Sequence, residues 1–306
     1  MSRPLKVGVQ LPEVERVVRW PEQLALARRI EDVGYDAVWL GDHLLYRWPG
    51  RTEARGPWEC WTMLAAIAAS TNRVGLGPLV ASTSFHAPAM LAKQAATVDE
   101  ISGGRLILGL GAGWNQVEYE AFGFPFDHRI SRFEEAFTII RTLLRDGAID
   151  FDGVYYQARD CELLPRPARP GGPPILLGSS GARMLEIAAP HIDAWNAWYN
   201  ATGNTPAGVA PLREPVDTAA LAAGRNPAEI ERSVAVLVQM PGGTGRFAGN
   251  DSAPAVPPLN GSSEDIADEL RAYAWAGIGA VQLVLDPISL ESIEAFGAVL
   301  ELLDAD

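Results

Sequence analysis

A short apolar run followed by an amphipathic helical stretch recurs along this sequence, and that alternation limits the fold more than any other feature. Residues 6–11 (KVGVQL) have the composition of a buried strand. Residues 21–33 place apolar side chains on one helical face, and Gly34 follows where a helix ends. The predicted strands cover residues 6–11, 36–40, 73–80, 105–109, 174–177, 192–196, 233–240 and 280–285.

Helical patterns separate most of these strands. They cover residues 21–33, 59–70, 88–101, 129–144, 181–189, 264–275 and 290–303. Continuous apolar strands alternating with amphipathic helices are typical of a parallel sheet covered by helices, and eight such units predict an α/β fold, the (β/α)8 TIM barrel. We expect one domain over residues 1–306, with insertions at about 41–58, 112–128, 150–172 and 242–263. A hairpin is predicted around Asp152-Gly153.

Charge and hydropathy limit the classes of partner that this chain can bind. The 25 Lys and Arg against 38 Asp and Glu give a net charge of −13, which repels nucleic acid and anionic lipid. No apolar run approaches the roughly 20 residues of a membrane span, and the first residues lead into a strand rather than a signal-peptide core. We therefore expect a cytoplasmic protein with a small-molecule partner, and neither nucleic acid nor membrane.

Several barrel chemistries are excluded by residue type. The only lysines are Lys6 and Lys93, one beginning a predicted strand and one inside a predicted helix, so a Schiff-base mechanism has no nucleophile. Cys60 and Cys161 match no metal spacing, and we expect free thiols. The histidines form no metal-binding motif, so no metal site is predicted; they are His43, His86, His128 and His191.

Glycine-rich segments follow two strands. Gly109, Gly111 and Gly113 have G-x-G-x-G spacing, which differs from the dinucleotide fingerprint but offers a strand end against which a flat ring can lie. The turn Gly178-Ser179-Ser180-Gly181 opens a predicted helix, so backbone N–H groups, hydroxyls and the helix dipole favour an anion. A plain strand-to-helix connection with a serine cap remains the alternative for this turn.

A set of short motifs occurs in a definite order along the first two thirds of the chain. They are Asp42-His43, His86-Ala87-Pro88, S-G-G-R-L-I-L-G-L-G-A-G-W at 102–114, E-Y-E-A-F-G at 118–123 and G-S-S-G at 178–181. This set resembles the bacterial luciferase-like family of flavin- and deazaflavin-dependent oxidoreductases. The resemblance covers residues 5–200, and 264–303 by pattern; residues 200–262 carry none.

The resemblance implies a barrel that binds reduced coenzyme F420 or FMN at its carboxyl end, commonly as a homodimer. It implies a non-prolyl cis peptide at Leu79-Val80 or a neighbour, a ring lying over strands 3 and 4, and a phosphate held after strand 5. The cofactor-binding residues it implies are Leu79, Val80, Ala81, Gly111, Gly113, Trp114, Asn115, Gly178, Ser179, Ser180 and Gly181. Arg183, two residues past the turn, is expected to support the phosphate.

His43, with Asp42 beside it, is the predicted catalytic residue, because the family has a catalytic or cofactor-contacting histidine at this place and imidazole ordinarily titrates near neutrality. With reduced F420 a hydride leaves the ring and His43 delivers a proton. With reduced FMN, oxygen adds to the ring and His43 stabilises the product. His86 and His128 are expected to be structural or rim residues, whereas Trp114 and Trp198 can line a pocket or pack in the core.

The choice of cofactor rests on resemblance. The motif order is closer to the deazaflavin branch, which favours F420, whereas Trp114 stands where those enzymes often carry a Glu, a departure compatible with FMN. Two other classes stay open: a flavin-binding barrel without turnover, and a barrel lyase or isomerase acting on phosphorylated metabolites. Absorbance near 370 to 450 nm with added cofactor distinguishes the last from the others.

Overall fold

The computed structural model describes residues 3–48, 52–244 and 256–305, and it divides into two compact units. The first unit comprises Met1–Trp39, Arg73–Gly75 and Gly178–Asp306, and the second comprises Leu40–Asn72 and Leu76–Leu177. The expectation of one domain over the whole chain stays a prediction. The insertions predicted at 41–58 and 242–263 lie partly outside the described residues.

Strands and helices alternate through both units. The strands are β1 (Lys6–Gln10), β2 (Ala37–Leu40), β3 (Gly75–Pro78), β4 (Ala81–Ser82), β5 (Leu108–Gly111), β6 (Ala148–Asp152), β7 (Gln157–Glu162), β8 (Ile175–Leu177), β9 (Ala194–Ala197), β10 (Glu231–Gln239) and β11 (Ala280–Asp286). The α-helices are α1 (Trp20–Val33), α2 (Cys60–Ala68), α3 (Pro88–Ser102), α4 (Gln116–Phe122), α5 (Arg129–Arg145), α6 (Ala182–Ala188), α7 (Tyr199–Thr202), α8 (Ala210–Ala222), α9 (Ser263–Trp275), α10 (Leu290–Ala295) and α11 (Gly297–Asp304). Short 3-10 turns occupy Thr83–Phe85, Pro206–Gly208 and Pro227–Glu229.

The first unit is built on parallel strands in the order β2-β1-β11-β10-β9. Val9 lies opposite Val38 on one side and Leu283 on the other, and Val236 lies opposite Leu283. These side chains are fully buried, because a parallel strand has neighbours on both faces. The continuous apolar runs of the sequence are explained by this burial.

The second unit contains the parallel order β4-β5-β8, in which Leu110 lies opposite both Ala81 and Leu177. Gly109 is required by a close approach of backbones. A Cβ on Gly109 would lie 2.2 Å from the carbonyl oxygen of Pro78. β6 and β7 form an antiparallel pair outside this sheet, which confirms the predicted hairpin.

Most helix boundaries agree with the periodicity to within two residues, and the differences have local causes. The helix predicted over 290–303 is two helices, α10 and α11, which meet at the fully buried Phe296. The strand predicted at 105–109 runs from Leu108 to Gly111, so Gly111 lies inside it. Among the described residues, no helix combines the length and the apolar character needed to cross a membrane.

Candidate active site

His43 and Glu118 form a hydrogen-bonded pair in the second unit, three residues beyond the end of β2. The distance from His43 Nδ1 to Glu118 Oε1 is 2.8 Å, and only 1% of the Glu118 side chain is exposed, against 20% for His43. The backbone N–H groups of Leu44 and Leu45 donate to Glu118 Oε2 at 2.8 and 3.3 Å. Nδ1 is the ring nitrogen that faces Glu118, and Nε2 is the nitrogen turned away from it.

Helix α4 supplies this carboxylate from the first turn after the glycine-rich end of β5. Asn115, immediately before the helix, donates its side-chain N–H to the carbonyl of Leu45 at 2.9 Å. Glu118 and Asn115, both at the start of α4, therefore form hydrogen bonds with the same loop segment, which contains Leu44 and Leu45. Glu118 contacts the His43 ring, and Glu118 and Asn115 bind the backbone that follows His43. Together these contacts fix the orientation of the imidazole.

Asp42 belongs to a separate network. Its buried carboxylate oxygen Oδ2 accepts from the backbone N–H of Ser82 at 2.9 Å and lies 2.8 Å from His86 Nε2. The observed contacts join the segment after β2 to the segment around β4, which is a positioning role for Asp42 and His86. The catalytic role expected for Asp42 stays a prediction.

The peptide bond between Leu79 and Val80 is cis, which confirms the predicted non-prolyl cis peptide. It lies between β3 and β4, and the N–H of Leu79 donates to the carbonyl of Leu40 at 2.7 Å. Ala81, the next residue, is fully buried and pairs with Leu110 of β5. Strands β3, β4 and β5 are thus brought to one edge of the second unit together with the end of β2.

Gly113 leaves room for a pair of hydroxyl groups. Its φ is +71°, and a Cβ there would lie 1.9 Å from the Tyr119 hydroxyl oxygen and 2.3 Å from Ser82 Oγ. The Tyr119 hydroxyl donates to the carbonyl of Ala112 at 2.8 Å and accepts from Ser82 Oγ at 2.7 Å. Burial raises the pKa of Tyr119, against a smaller opposing effect of the serine hydroxyl groups, so the phenol remains a donor at neutral pH.

Three aromatic side chains, Tyr46, Trp48 and Trp114, form what we call the aromatic wall beside His43. The His43 ring centroid lies 4.7 Å from that of Tyr46 and 5.6 Å from that of Trp114, and Tyr46 stacks on Trp48 at 5.4 Å. Trp114 is 63% exposed, so one large apolar ring of the wall faces solvent. The wall gives the imidazole an apolar flank.

The predicted anion turn, Gly178 to Gly181, lies in the first unit between β8 and α6, and its residues are half-buried to exposed. The Trp195 indole N–H donates to the carbonyl of Ser179 at 2.9 Å, and the N–H of Gly181 donates to Ser179 Oγ at 3.3 Å. Arg183 forms an ion pair with Glu186 at 2.9 Å. Phosphate binding by the turn and by Arg183 stays a prediction.

Comparison with known proteins gives the family. Residues 6–241 match the model of the luciferase-like monooxygenases. The chain belongs to that family. The resemblance drawn from the motifs is therefore confirmed.

Curated luciferase-like relatives include F420-dependent enzymes and monooxygenases. The 5,10-methylenetetrahydromethanopterin reductase of Archaeoglobus fulgidus is 35% identical over 159 residues, 52% of this chain and 43% of the relative. Pyrimidine monooxygenase RutA of Rhizobium rhizogenes is 35% identical over 65% of this chain and 55% of its own length. The F420-dependent glucose-6-phosphate dehydrogenase of Amycolatopsis mediterranei is 35% identical over 53% and 48%, respectively. The chain spans about half the length of the curated relatives it matches.

Solved structures match over nearly the whole chain. An F420-dependent secondary alcohol dehydrogenase in complex with an F420-acetone adduct has a TM-score of 0.82 at 19% identity, covering 98% of this chain and 99% of its own. A coenzyme F420 dependent tetrahydromethanopterin reductase from Methanopyrus kandleri has a TM-score of 0.78 at 19% identity, with the same coverages. At this identity the likeness shows the fold alone, and the predicted luciferase-like TIM barrel is confirmed.

His128 and Trp198 were also considered as candidate residues from the sequence. His128 is 63% exposed and precedes α5 with a φ of +49°. Trp198 is half-buried and packs against a core cluster of the first unit that contains Tyr199 and Leu237. A substrate contact of Trp198 stays a prediction, and the structural or rim role expected for His128 fits its position.

Glu118 is the site residue that sequence reasoning missed. It was part of the E-Y-E-A-F-G motif used for the resemblance, but a separation of 75 residues from His43 gives no local sign of pairing. The available signal was chemical: a histidine directly after a strand end needs an acceptor for one ring nitrogen, and a carboxylate in the first turn after the neighbouring strand is a natural source. Tyr119 and Ser82 were missed for the same reason.

Proposed function

We propose that this chain is an oxidoreductase that uses reduced coenzyme F420 to transfer a hydride to a small organic substrate. The observation that carries the proposal is the buried Glu118 carboxylate holding His43 at the end of β2, in a chain of the luciferase-like family. Relatives whose names include F420 dependence support this choice of cofactor. We also propose a cytoplasmic homodimer, as the resemblance and composition predicted; light scattering of the purified protein tests the dimer.

The residues at the edge of the second unit fit a flat ring. Ala81 begins β4 and Gly111 ends β5, both with little or no side chain, and Gly113 lies two residues beyond Gly111. Leu79 and Val80 directly precede Ala81 in the chain. These residues would hold the ring, whereas the side chain of Asn115 is engaged with Leu45.

The turn in the first unit fits a phosphate in its chemistry. Ser179 and Ser180 carry hydroxyl groups, and Gly178 and Gly181 carry no side chain that would cover the backbone. The Trp195 indole N–H donates a hydrogen bond to the carbonyl oxygen of Ser179. This oxygen would repel an anion more strongly than the Ser179 hydroxyl, and it is already hydrogen-bonded. This arrangement supports a phosphate group of either cofactor.

When bound, reduced F420 supplies a hydride to the substrate. His43 provides the proton that completes the reduction, from Nε2, because Glu118 holds the proton on Nδ1. The carboxylate of Glu118 stabilises the imidazolium before transfer, and the backbone N–H groups of Leu44 and Leu45 keep that carboxylate in place. The aromatic wall keeps one side of the imidazole apolar.

An FMN-dependent monooxygenase is the second candidate. Two observations favour it: Trp114 occupies the position where the deazaflavin branch often has a Glu, and pyrimidine monooxygenases are among the relatives. In that case the same His43–Glu118 pair would donate a hydrogen bond toward the reacting oxygen.

Titration of the purified apoprotein with F420 and with FMN tests the proposal, followed by steady-state screening with whichever cofactor binds. Micromolar F420 binding with reduction of an organic acceptor is the expected result. Micromolar FMN affinity together with no F420 binding would replace the first candidate by the second. Binding of neither cofactor would overturn both and leave a lyase or isomerase, and binding without turnover of any acceptor would indicate a flavin-binding barrel.

A further inference from the structure

Trp114 combines exposure with contact to the proposed proton donor. Exposure of a single apolar side chain is ordinary on a protein surface and does not by itself indicate a function. The distinguishing fact is that this 63% exposed indole lies 5.6 Å from the His43 ring, centroid to centroid. Trp275 is 82% exposed on α9 and serves as the example of an exposed tryptophan outside this group.

The Trp114 indole is stacked face to face on neither His43 nor Tyr46. Its plane is inclined 71° to His43 and 55° to Tyr46, which are edge-on and tilted arrangements rather than stacks. Within the described part of the chain, the stacked ring pair of the wall is Tyr46 with Trp48, inclined by 8°. The Trp114 indole, which is 63% exposed and stacked on neither of these two rings, is thus open to solvent beside the imidazole.

Ring spacing separates two kinds of ligand. A cage for a cation needs rings set apart around a central space. Here the centroids of His43, Tyr46 and Trp114 are 4.7 to 6.3 Å apart, the range of direct ring-to-ring contact, so no ligand fits between them. The group is a continuous wall, and a continuous wall binds a flat ligand on its outer face.

The backbone on both sides of Trp114 is fixed without a ligand. Arg129 donates to the carbonyl of Gly113 at 2.7 Å, and the Asn115 side chain donates to Leu45 at 2.9 Å. Opposite, Tyr46 exchanges backbone hydrogen bonds with Arg55 at 2.6 and 3.0 Å. The wall is therefore preorganised, which lowers the entropic cost of stacking a ligand on it.

We propose that the substrate carries a flat conjugated ring that stacks on the Trp114 indole, with a polar atom at the ring edge directed toward His43 Nε2. The inference rests on the proposed function and adds the substrate class to it. It also assigns Trp114 to the substrate rather than to the cofactor. Stacking then places the ring atom that accepts the proton beside the imidazole.

A matched pair of probes tests the substrate class without turnover. 2-Naphthol and decahydro-2-naphthol share a carbon skeleton and a hydroxyl group, and only the first is flat and conjugated. Calorimetric titration of the protein, with and without whichever cofactor binds, should give about 10-fold tighter binding of 2-naphthol, the scale of one aromatic stacking contact. Trp114→Ala should abolish that preference, Trp114→Phe should keep most of it, and Trp275→Ala should leave it unchanged.

Cofactor affinity is measured on the same variants. We expect Trp114→Ala to leave F420 and FMN affinity unchanged within about twofold. Equal binding of the two probes, binding of neither, or an unchanged preference in Trp114→Ala overturns the inference. A loss of cofactor affinity in Trp114→Ala with 2-naphthol binding intact also overturns it and assigns the indole to the cofactor. Failure of the proposed function appears separately, as wild-type protein that binds neither cofactor.

Discussion

The end of β2 and the turn after β8 are both predicted to serve one cofactor reaction, yet they are built differently. Beside His43, the buried Glu118 carboxylate forms hydrogen bonds with three successive residues, His43, Leu44 and Leu45. The turn from Gly178 to Gly181 is half-buried to exposed; Gly181 N–H donates to Ser179 Oγ, and the Trp195 indole donates to the carbonyl of Ser179. The first region is held by a buried carboxylate, whereas the second is a more exposed turn.

This difference predicts that changes near β2 alter turnover and changes in the turn alter cofactor affinity. Of these changes, His43→Ala is expected to have the largest effect. We expect cofactor binding to stay nearly normal and turnover to fall about 100-fold or more, the usual scale for a positioned acid or base. Steady-state kinetics checks this with His128→Ala, an exposed histidine, as control. Unchanged turnover in His43→Ala would remove this residue from the reaction.

Glu118→Gln tests whether the charge of Glu118 supports proton donation by His43. The neutral amide would no longer stabilise the imidazolium that donates from Nε2, so kcat should fall on the order of 10-fold. The pH profile of kcat should shift as well, because the charge that stabilises the imidazolium is lost. A parallel loss of kcat at every pH, with no change in the profile, would indicate a purely structural role for Glu118.

Ser179→Asp tests the turn. A new carboxylate should repel a phosphate and weaken cofactor binding by about 1 to 3 kcal/mol, without changing the free energy of unfolding. Ser179→Ala removes the hydroxyl but adds no charge and is expected to have a smaller effect. Equilibrium titration with either cofactor measures both. Equal affinity of Ser179→Asp and wild type would show that the anion binds elsewhere.

Two glycine substitutions compare the rigidity of the regions directly. Gly109→Ala forces a Cβ to within 2.2 Å of Pro78 O and should cost about 1 to 3 kcal/mol of unfolding free energy. Gly181→Ala meets nothing nearer than 3.7 Å and should be close to neutral. Denaturant unfolding distinguishes them. Similar losses in the two variants would contradict the contrast between a packed region and an open one.

The smallest expected effect concerns Tyr119. Burial raises the pKa of this phenol in the folded state, so its contribution to stability is fully present below its ordinary value of 10.0 and is lost as pH rises through the folded value. Thermal unfolding at pH 8 and pH 10.5 should show a smaller decrease for Tyr119→Phe than for wild type. An equal decrease in the two proteins would mean that Tyr119 does not titrate differently on folding.

The sequence was sufficient for the fold because strand and helix periodicity is local. The end of α1 at Gly34 and the glycine-rich end of β5 were predicted from residue type alone. The break at Phe296 was not predictable, since a helix periodicity continues across it while packing decides where the axis changes. Residues 200–262 carried no resemblance, although β10 within them was predicted from its apolar run.

The candidate site was predictable only in part. His43 and the Leu79-Val80 cis peptide came from family resemblance, and the structure adds which groups hold them. The pairing of His43 with Glu118, and of Asp42 with His86, depends on chain segments brought together by folding. Spacing within one sequence contains no record of such pairings.

Asp42 and His43 are adjacent in the chain but belong to different partners, and this makes the length of the segment after Leu40 as important as its composition. Loss of one residue between Leu40 and Asp42 would bring the His43 imidazole against His86, whereas gain of one residue there would bring the Asp42 carboxylate against Glu118. In either case like groups would face each other at one of the two positions. Inherited length changes in this loop should therefore accumulate beyond Tyr46 and be absent between Leu40 and Leu44, even where the residues themselves vary.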